Sequence, residues 1–189
     1  MIIGYQGIEN SYNDFAVNRF IEKLELQNVS KEPLVTSDSV ARALIDRSVD
    51  LGVIALKNNI AGSVEESENI MKSDLFEIVD TTEMSIKHCL FAFDENSVKN
   101  IKTIASHIQA LKQCSDYLKS HFPHCKLEEH EDTAKTASDL KNGILEKTVA
   151  VICSKQAGEQ NNLFLISENI TNRPSKTTFC LISLKPAHH

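Results

Sequence analysis

Several features that mark other classes of protein are scarce in this sequence. No stretch approaches the roughly 20 apolar residues of a membrane-spanning helix, and the first residues already form a strand-like segment, which leaves no room for a signal peptide. Only four of the 20 basic residues are arginine, and 26 acidic residues give a net charge of −6. We therefore expect a cytoplasmic protein with neither a membrane nor a nucleic acid as its partner.

Cysteine and histidine lack the spacing that is typical of disulfide frameworks and metal sites. The five cysteines are odd in number, form no Cys-x-x-Cys pair and lie mostly in apolar runs, so we interpret them as reduced core thiols. None of the seven histidines belongs to a spaced cluster with cysteines or carboxylates. The sequence therefore predicts no metal site.

The composition is that of a soluble globular protein. The chain has 189 residues, of which 41% are hydrophobic and 24% charged, enough for one domain or two small ones. No internal repeat, linker or low-complexity segment interrupts it. With few arginines, an anionic small ligand would be held largely by hydroxyls, amides and backbone N–H groups.

Strand-like and helix-like segments alternate along the whole chain. This alternation predicts an α/β fold with parallel sheet. The predicted strands cover residues 1–5, 51–56, 76–79, 83–93, 101–105, 126–130, 149–153, 163–166 and 177–184.

Small polar residues follow most of these strands, where the next helix begins. We expect them to cap the helices, with Asn13 as an alternative to the first and Asp38 to the second. Because ligands of open α/β sheets bind beyond the carboxyl ends of strands, several of these turns can meet in one cleft. The alternative is that each cap serves only its own helix. The six predicted caps are Ser11, Ser37, Ser63, Ser106, Thr133 and Ser154.

The turn at Ser106 is the most informative of the six. A helix predicted to begin there offers its first N–H groups to an anion, and Gln109 and Gln113 lie four residues apart on one face. Leu111, Cys114, Leu118 and Phe122 mark the opposite, buried face. The pattern suits a small ligand with carboxylates and hydroxyls, although it also fits an ordinary amphipathic helix with its glutamines in water.

Five stretches together resemble, in order, the motifs of prephenate dehydratase catalytic domains. Residues 5–12 resemble the opening Tyr-x-Gly-Pro-x-Gly-Thr-Phe turn, and residues 57–64 resemble the Glu-Asn-Ser-x-x-Gly-x-Val loop. Residues 106–114 are similar to Ser-His-Pro-Gln-x-x-x-Gln-Cys, and residues 132–137 to Ser-Thr-Ala-x-Ala. Residues 177–179 take the place of Thr-Arg-Phe. The resemblance covers essentially the whole chain.

The resemblance implies two doubly wound α/β lobes like those of type II periplasmic binding proteins, with the active site in the cleft between them. Residues 1–82 and 170–189 would form lobe 1, and residues 83–169 would form lobe 2. Family enzymes usually continue into an ACT domain that binds phenylalanine. This chain stops before one, so we expect no feedback by that route. We also expect a homodimer or a larger homo-oligomer.

The resemblance also implies an activity and a set of site residues. Prephenate dehydratases convert prephenate to phenylpyruvate in phenylalanine biosynthesis, without a metal or an organic cofactor. The catalytic threonine of the family corresponds to Thr177. The residues expected to bind the substrate are Asn58, Ser106, Gln113, Thr133, Ser11 and Thr178.

The sequence departs from the family pattern at two charged positions. The arginine of Thr-Arg-Phe is Thr178 here, and the glutamate of Glu-Asn-Ser is Lys57. Because a neutral side chain does not replace a planar cation, we consider Lys57, Arg173 and Lys176 as substitutes. Two other functions stay open: a decarboxylase that retains the ring hydroxyl of prephenate, and a catalytically silent module that binds a small carboxylate.

Three further departures affect turns. Ile8 and Asn10 replace the proline and glycine of the opening turn, and Ile108 replaces the proline of the central motif. Asparagine tolerates a positive φ better than most residues, so we expect the change at Asn10 to leave the turn intact.

Overall fold

The computed structural model describes residues 1–60 and 62–186, so Ala61 of the predicted loop and residues 187–189 of the expected lobe 1 lie outside the described residues. The chain divides into two compact units. The first unit contains Met1–Ser85 and the described segment from Ser175 onward, and the second unit contains Ile86–Pro174. Each unit is built around one mixed sheet.

The described part of the chain contains alternating strands and helices. The strands are β1 (Ile2–Tyr5), β2 (Ser30–Pro33), β3 (Leu51–Asn58), β4 (Gly62–Ser63), β5 (Phe76–Ile86), β6 (Cys89–Ala92), β7 (Thr103–Ser106), β8 (Lys126–Glu129), β9 (Val149–Cys153), β10 (Phe164–Ser167) and β11 (Ser175–Leu184). The helices are α1 (Tyr12–Lys23), α2 (Ser37–Ile45), α3 (Glu65–Lys72), α4 (Ile108–Gln113), α5 (Ser115–His121), α6 (Thr133–Lys141) and α7 (Lys155–Gln160), with a 3-10 turn at Asn96–Asn100.

The sheet of the first unit has the strand order β2-β1-β3-β11-β5, and β4 pairs with β3. Strand β1 is parallel to β2 and β3, whereas β11 runs antiparallel to β3. The first residues of β11 therefore lie at the carboxyl end of β3. The register places Thr177 opposite Asn58 and Thr178 opposite Lys57.

The sheet of the second unit has the strand order β10-β6-β9-β7-β8. Strands β7, β8 and β9 are parallel, and β6 is antiparallel to β9 and β10. Because Cys89 pairs with Cys153, the start of β6 lies at the carboxyl end of β9. The prediction of α/β layers is confirmed, but both sheets are mixed and not wholly parallel.

Two hydrophobic cores hold these layers together. In the first unit, α2 packs Val40 and Leu44 against Ile54 and Ile182 of the sheet. In the second unit, all five residues of β9 are buried, as expected for an unbroken apolar strand with both faces covered. The buried side chains of α1 include Ala16, Val17 and Phe20.

Several predicted elements differ from the observed ones. The boundary predicted between the strands at 76–79 and 83–93 is wrong. The first strand, β5, runs from Phe76 to Ile86, and the second, β6, begins at Cys89. The single helix expected after Ser106 is two helices that meet at Cys114. Strand β2 escaped prediction because its four residues are all exposed and carry no apolar alternation.

The predicted caps are correct at Ser11 and Ser154 and wrong at the other four positions. The residues that precede α2, α4 and α6 cap them, and these residues are Thr36, His107 and Asp132. Helix α3 follows Val64, which makes no side-chain cap. Asp132 accepts from two backbone N–H groups and adds a negative charge at the positive end of the helix dipole, which a hydroxyl does not provide.

All five cysteines have free thiols, and four of them are buried. Within residues 1–60 and 62–186, each helix is too short or too polar to span a bilayer.

Replacement of Gly158 by Ala is expected to destabilise the second unit. A Cβ at this position of α7 would overlap the ring of Phe91, which is fully buried in β6. Gly to Ala in a helix normally stabilises a protein, but forced overpacking costs about 1–3 kcal/mol and determines the sign here. The measurement is the urea midpoint of unfolding, with Gln156→Ala on the exposed face of α7 as the control. Equal midpoints for Gly158→Ala and wild type would contradict the close packing.

Candidate functional site

A cluster of three polar side chains lies at the carboxyl end of β3. The Asn58 side-chain amide donates hydrogen bonds to Ser175 Oγ over 2.9 Å and to Thr177 Oγ1 over 2.8 Å. Asn58 and Thr177 each retain 8% of their surface, and Ser175 retains 2%. Asn58 and Thr177, two residues of the predicted site, are thus in contact. Ser175 was missed, although its two-residue spacing from Thr177 places both on one face of β11.

The loop after β3 is fixed to the start of β11. Asn58 Oδ1 accepts a hydrogen bond from the Ile60 backbone N–H over 2.9 Å. Asn59 Oδ1 accepts from the Lys176 backbone N–H over 2.7 Å, and Asn59 N donates to the Lys176 carbonyl over 3.0 Å. These bonds orient the Asn58 amide with its NH2 group toward the two hydroxyls. Since Thr177 Oγ1 accepts from Asn58, that bond leaves the Thr177 hydroxyl hydrogen for another acceptor.

The two positions at which a charged residue of the family pattern is replaced are neighbours in the sheet. Lys57 and Thr178 are cross-strand partners in β3 and β11. Lys57 is exposed and Thr178 is half-buried. Of the other cations considered, Lys176 pairs with Glu83 over 2.8 Å, and this hydrogen bond and charge raise the pKa of Lys176. Arg173 is an exposed residue of the second unit.

The opening turn follows β1 at the same edge of the first sheet. Ser11 caps α1 and is buried. Gly7 has a φ of 91° and Asn10 a φ of 69°, so Asn10 adopts the left-handed conformation that the sequence suggested it would tolerate. The buried Asp14 carboxylate accepts from Asn10 N over 2.9 Å and pairs with Lys31 over 2.6 Å. Asp14 organises this turn and was not recognised in the sequence.

In the second unit, Ser106 lies at the carboxyl end of β7. It is fully buried, and its hydroxyl donates to the Ile152 carbonyl of β9 over 2.6 Å. This bond explains why Ser106 does not cap α4. A contact between Ser106 and a ligand stays a prediction.

Gln113 ends α4 and contacts His88, which was not among the predicted site residues. Gln113 Oε1 lies 2.9 Å from His88 Nε2, and His88 is 5% exposed. Burial lowers the pKa of His88; the hydrogen bond to Gln113 opposes this shift and the nearby His107 adds to it. This lowered pKa favours the neutral imidazole. The sequence signal of His88 is a polar residue directly before a buried strand.

Thr133 is the first residue of α6, which follows β8 at the same edge of the second sheet. A cavity of about 450 Å³ lies beside this helix start. Four carboxylates line it, against one lysine, so it is electrostatically unsuited to a dianion. The carboxylates are those of Glu129, Glu131, Asp132 and Asp139.

The predicted site residues are distributed over both units. Asn58, Thr177 and Thr178 lie on neighbouring strands of the first unit, and Ser11 follows β1 at the same sheet edge. Ser106, Gln113 and Thr133 belong to the second unit. Across residues 1–60 and 62–186, no group of three or more His, Cys, Asp or Glu side chains is placed to hold a metal ion.

Hydroxyls and amides at the carboxyl edges of the sheets are typical of α/β proteins that bind small molecules. Comparison with known proteins makes the class specific. The family model described as prephenate dehydratase matches residues 3–187. The chain therefore belongs to the prephenate dehydratase family.

Individual relatives agree with this assignment. A prephenate dehydratase from Methanocaldococcus jannaschii is 35% identical over 137 residues, covering 71% of this chain and 48% of that protein. The structure of prephenate dehydratase from Arthrobacter aurescens with L-Phe has a TM-score of 0.84 at 20% identity, over 99% of this chain and 61% of that one.

The likeness to binding proteins is also confirmed at the level of the fold. A nutrient binding protein from Burkholderia cenocepacia, bound to methionine, has a TM-score of 0.52 at 12% identity, over 97% of this chain and 84% of that one. The chain spans about half the length of the curated relatives it matches.

Proposed function

We propose that this chain is a prephenate dehydratase, which converts prephenate to phenylpyruvate, carbon dioxide and water in phenylalanine biosynthesis. Family membership supports the reaction class. The observation that carries the proposal for this chain is the hydrogen bond from the Asn58 amide to Thr177 Oγ1. It directs the Thr177 hydroxyl to act as a donor, which is the role that the reaction needs.

The reaction breaks two bonds of the prephenate ring. The C–O bond to the ring hydroxyl breaks with its electron pair on oxygen, and that oxygen takes up a proton to leave as water. The C–C bond to the ring carboxylate breaks with its electron pair entering the ring, and carbon dioxide departs. Aromatisation supplies the driving force, so the protein needs to position the dianion and assist the departing oxygen.

Thr177 is the proposed donor to the departing oxygen. Its Oγ1 accepts from Asn58, so its hydrogen is directed to the leaving group during C–O cleavage. Such general acid assistance contributes about 10²–10⁴ in rate, and a proton from solvent then restores the Thr177 hydroxyl. Ser175 accepts the second N–H of the same amide and so keeps Asn58 in the donating orientation.

The other predicted site residues are proposed to position the substrate. Gln113 donates from its amide, and Thr178, Ser11 and Thr133 donate from their hydroxyls. Ser106 is proposed to border the substrate without donating to it, because its only hydrogen is bonded to the Ile152 carbonyl.

Lys57 is the proposed replacement for the family arginine. It faces the position of that arginine, now Thr178, across the β3–β11 ladder. In this chain the positive charge lies on β3, whereas the family pattern places it at the position of Thr178 on β11. Lys176 is the weaker candidate because its ammonium group is paired with Glu83.

Replacement of Lys57 by Met is expected to raise KM for prephenate about tenfold or more, because a hydrogen bond to a charged group is worth about 1.5–3 kcal/mol. Adding Thr178→Arg to Lys57→Met is expected to restore binding by returning the cation to β11. Lys72→Met removes one exposed positive charge from α3 and serves as the control. Unchanged KM in Lys57→Met, measured by steady-state kinetics, would exclude this role for Lys57.

Incubation of the protein with prephenate tests the proposed function, with phenylpyruvate absorbance as the measurement. Product formation above the protein-free rate is expected. A product that keeps the ring hydroxyl would instead favour the decarboxylase, for which the loss of the family arginine at Thr178 is the motivating observation. Binding without turnover, detected by calorimetry, would favour a silent carboxylate-binding module.

The location and the assembly of the protein are further parts of the proposal. We propose that the protein is located in the cytoplasm, as expected from the sequence. A homodimer or a larger homo-oligomer is the expected assembly, and light scattering after size-exclusion chromatography measures it.

A further inference from the structure

His88 occupies the short link between β5 and β6 in the second unit. Its side chain is 5% exposed, and its carbonyl accepts a hydrogen bond from Ile170 N over 3.0 Å. Its Nε2 lies 2.9 Å from Gln113 Oε1. The carbonyl of Gln113 in turn accepts from Asn172 N over 2.7 Å. The segment 170–172 thus fixes the backbone of both residues, and the imidazole lies against the Gln113 amide.

The second ring nitrogen determines the direction of this contact. His88 Nδ1 is buried and has no hydrogen-bond partner among the described residues. A neutral imidazole carries one N–H group, and a hydrogen on Nδ1 would be a buried donor without an acceptor. An unused lone pair is the less costly alternative, since orphaned buried N–H groups are rarer than unused acceptors. The hydrogen therefore lies on Nε2 and is donated to Gln113 Oε1.

The hydrogen bond from His88 also orients the NH2 group of the Gln113 amide. Because Oε1 accepts from His88, the Gln113 NH2 group presents two N–H donors away from the imidazole. A glutamine that is free to rotate offers either a donor or an acceptor to its ligand. The His88 imidazole holds the Gln113 amide in the orientation in which it donates to a ligand.

We propose that His88 is a positioning residue that fixes the Gln113 amide as a donor, so that the amide selects a carboxylate or keto oxygen of the substrate. Ligands that present a hydroxyl hydrogen or an ammonium group at this position would be rejected, since they would face the amide N–H groups. This inference rests on the proposed function only in naming Gln113 as a substrate contact. The orientation of the amide is a property of the free protein.

The first test is therefore made without substrate. Long-range 1H–15N correlation spectra of the labelled protein at neutral pH report the tautomer of each histidine, and His88→Gln assigns the signal. The Nε2–H tautomer is expected for His88. The Nδ1–H tautomer would overturn the proposal, whatever the chain catalyses.

The second test uses two variants of His88 whose side-chain amides differ in length by one methylene group. The terminal amide of His88→Gln comes close to the position of Nε2 and can still donate to Gln113, whereas the shorter side chain of His88→Asn does not reach it. We expect KM for prephenate to rise about tenfold in His88→Asn with little change in kcat, as for a lost uniform binding contact. His88→Gln should recover most of the loss. His121→Gln, at an exposed histidine of α5, is the control for the substitution itself.

A purely structural role for His88 would give a different result. It would lower kcat through a smaller folded fraction, leave KM unchanged and affect both variants. A double-mutant cycle separates the two cases. If His88 acts through Gln113, His88→Asn should have no further effect in a Gln113→Ala background. If the protein does not turn over prephenate, the same comparisons are made on calorimetric binding of phenylpyruvate. Additive effects in the cycle would overturn the proposal.

Discussion

Replacement of Thr177 by Val is expected to lower kcat for prephenate by about 10²–10⁴, the range of general acid assistance. Valine has nearly the shape of threonine but has no hydroxyl to donate to the departing oxygen. Asn58 loses one of its two hydroxyl partners and keeps Ser175, so the cost in stability is expected to be about 1 kcal/mol. Steady-state kinetics and a urea unfolding curve measure the two effects separately.

Thr177→Ser is the matched variant for this prediction. Serine keeps the hydroxyl and the hydrogen bond from Asn58, so it should retain most of the activity. A kcat for Thr177→Val within a few-fold of wild type would show that the departing oxygen receives its proton from another group.

The second large effect is expected for Asn58→Asp, which should lower kcat by at least about 10²–10³, the loss seen when one donor to developing charge is removed. The amide donates to Ser175 and Thr177, whereas an ionised carboxylate only accepts. Both hydroxyls would then donate to the new carboxylate, and Thr177 would no longer donate to the substrate. The new negative charge would also repel the dianion.

Asn59→Asp is the control for the added charge. It introduces the same charge one residue away and keeps the oxygen that accepts from Lys176 N. Its loss of activity is expected to be less than about tenfold, since an exposed charge interacts weakly with its surroundings. Similar losses in the two variants would indicate a general effect of charge and would exclude the donor role of Asn58.

The alternation of apolar runs with capped helices predicted most of the α/β fold, because buried strands such as β9 carry a strong local signal. Strand direction has no such signal. The antiparallel course of β11 and β6 depends on where the chain returns, which only the tertiary structure determines. The polar edge strand β2 and the break at Lys87 and His88 likewise lack hydrophobic periodicity.

The candidate site was predictable where a residue belongs to a motif. Asn58 and Thr177 were selected from two distant motifs, and the β3–β11 register brings them into contact. Ser175, Asp14 and His88 were missed because each acts through a residue far away in sequence or through a backbone group. Ser106 illustrates the reverse error, since its hydroxyl is bonded to Ile152 and not to its own helix.

The most direct test of the proposed function is a 13C NMR analysis of prephenate incubated with the protein, with a protein-free sample as the reference. Loss of the ring hydroxyl carbon signal should accompany release of one carbon dioxide per molecule and the appearance of the aromatic signals of phenylpyruvate. A dihydro product that keeps its hydroxyl, or unchanged prephenate at saturating protein, would contradict the assignment of this chain as a prephenate dehydratase.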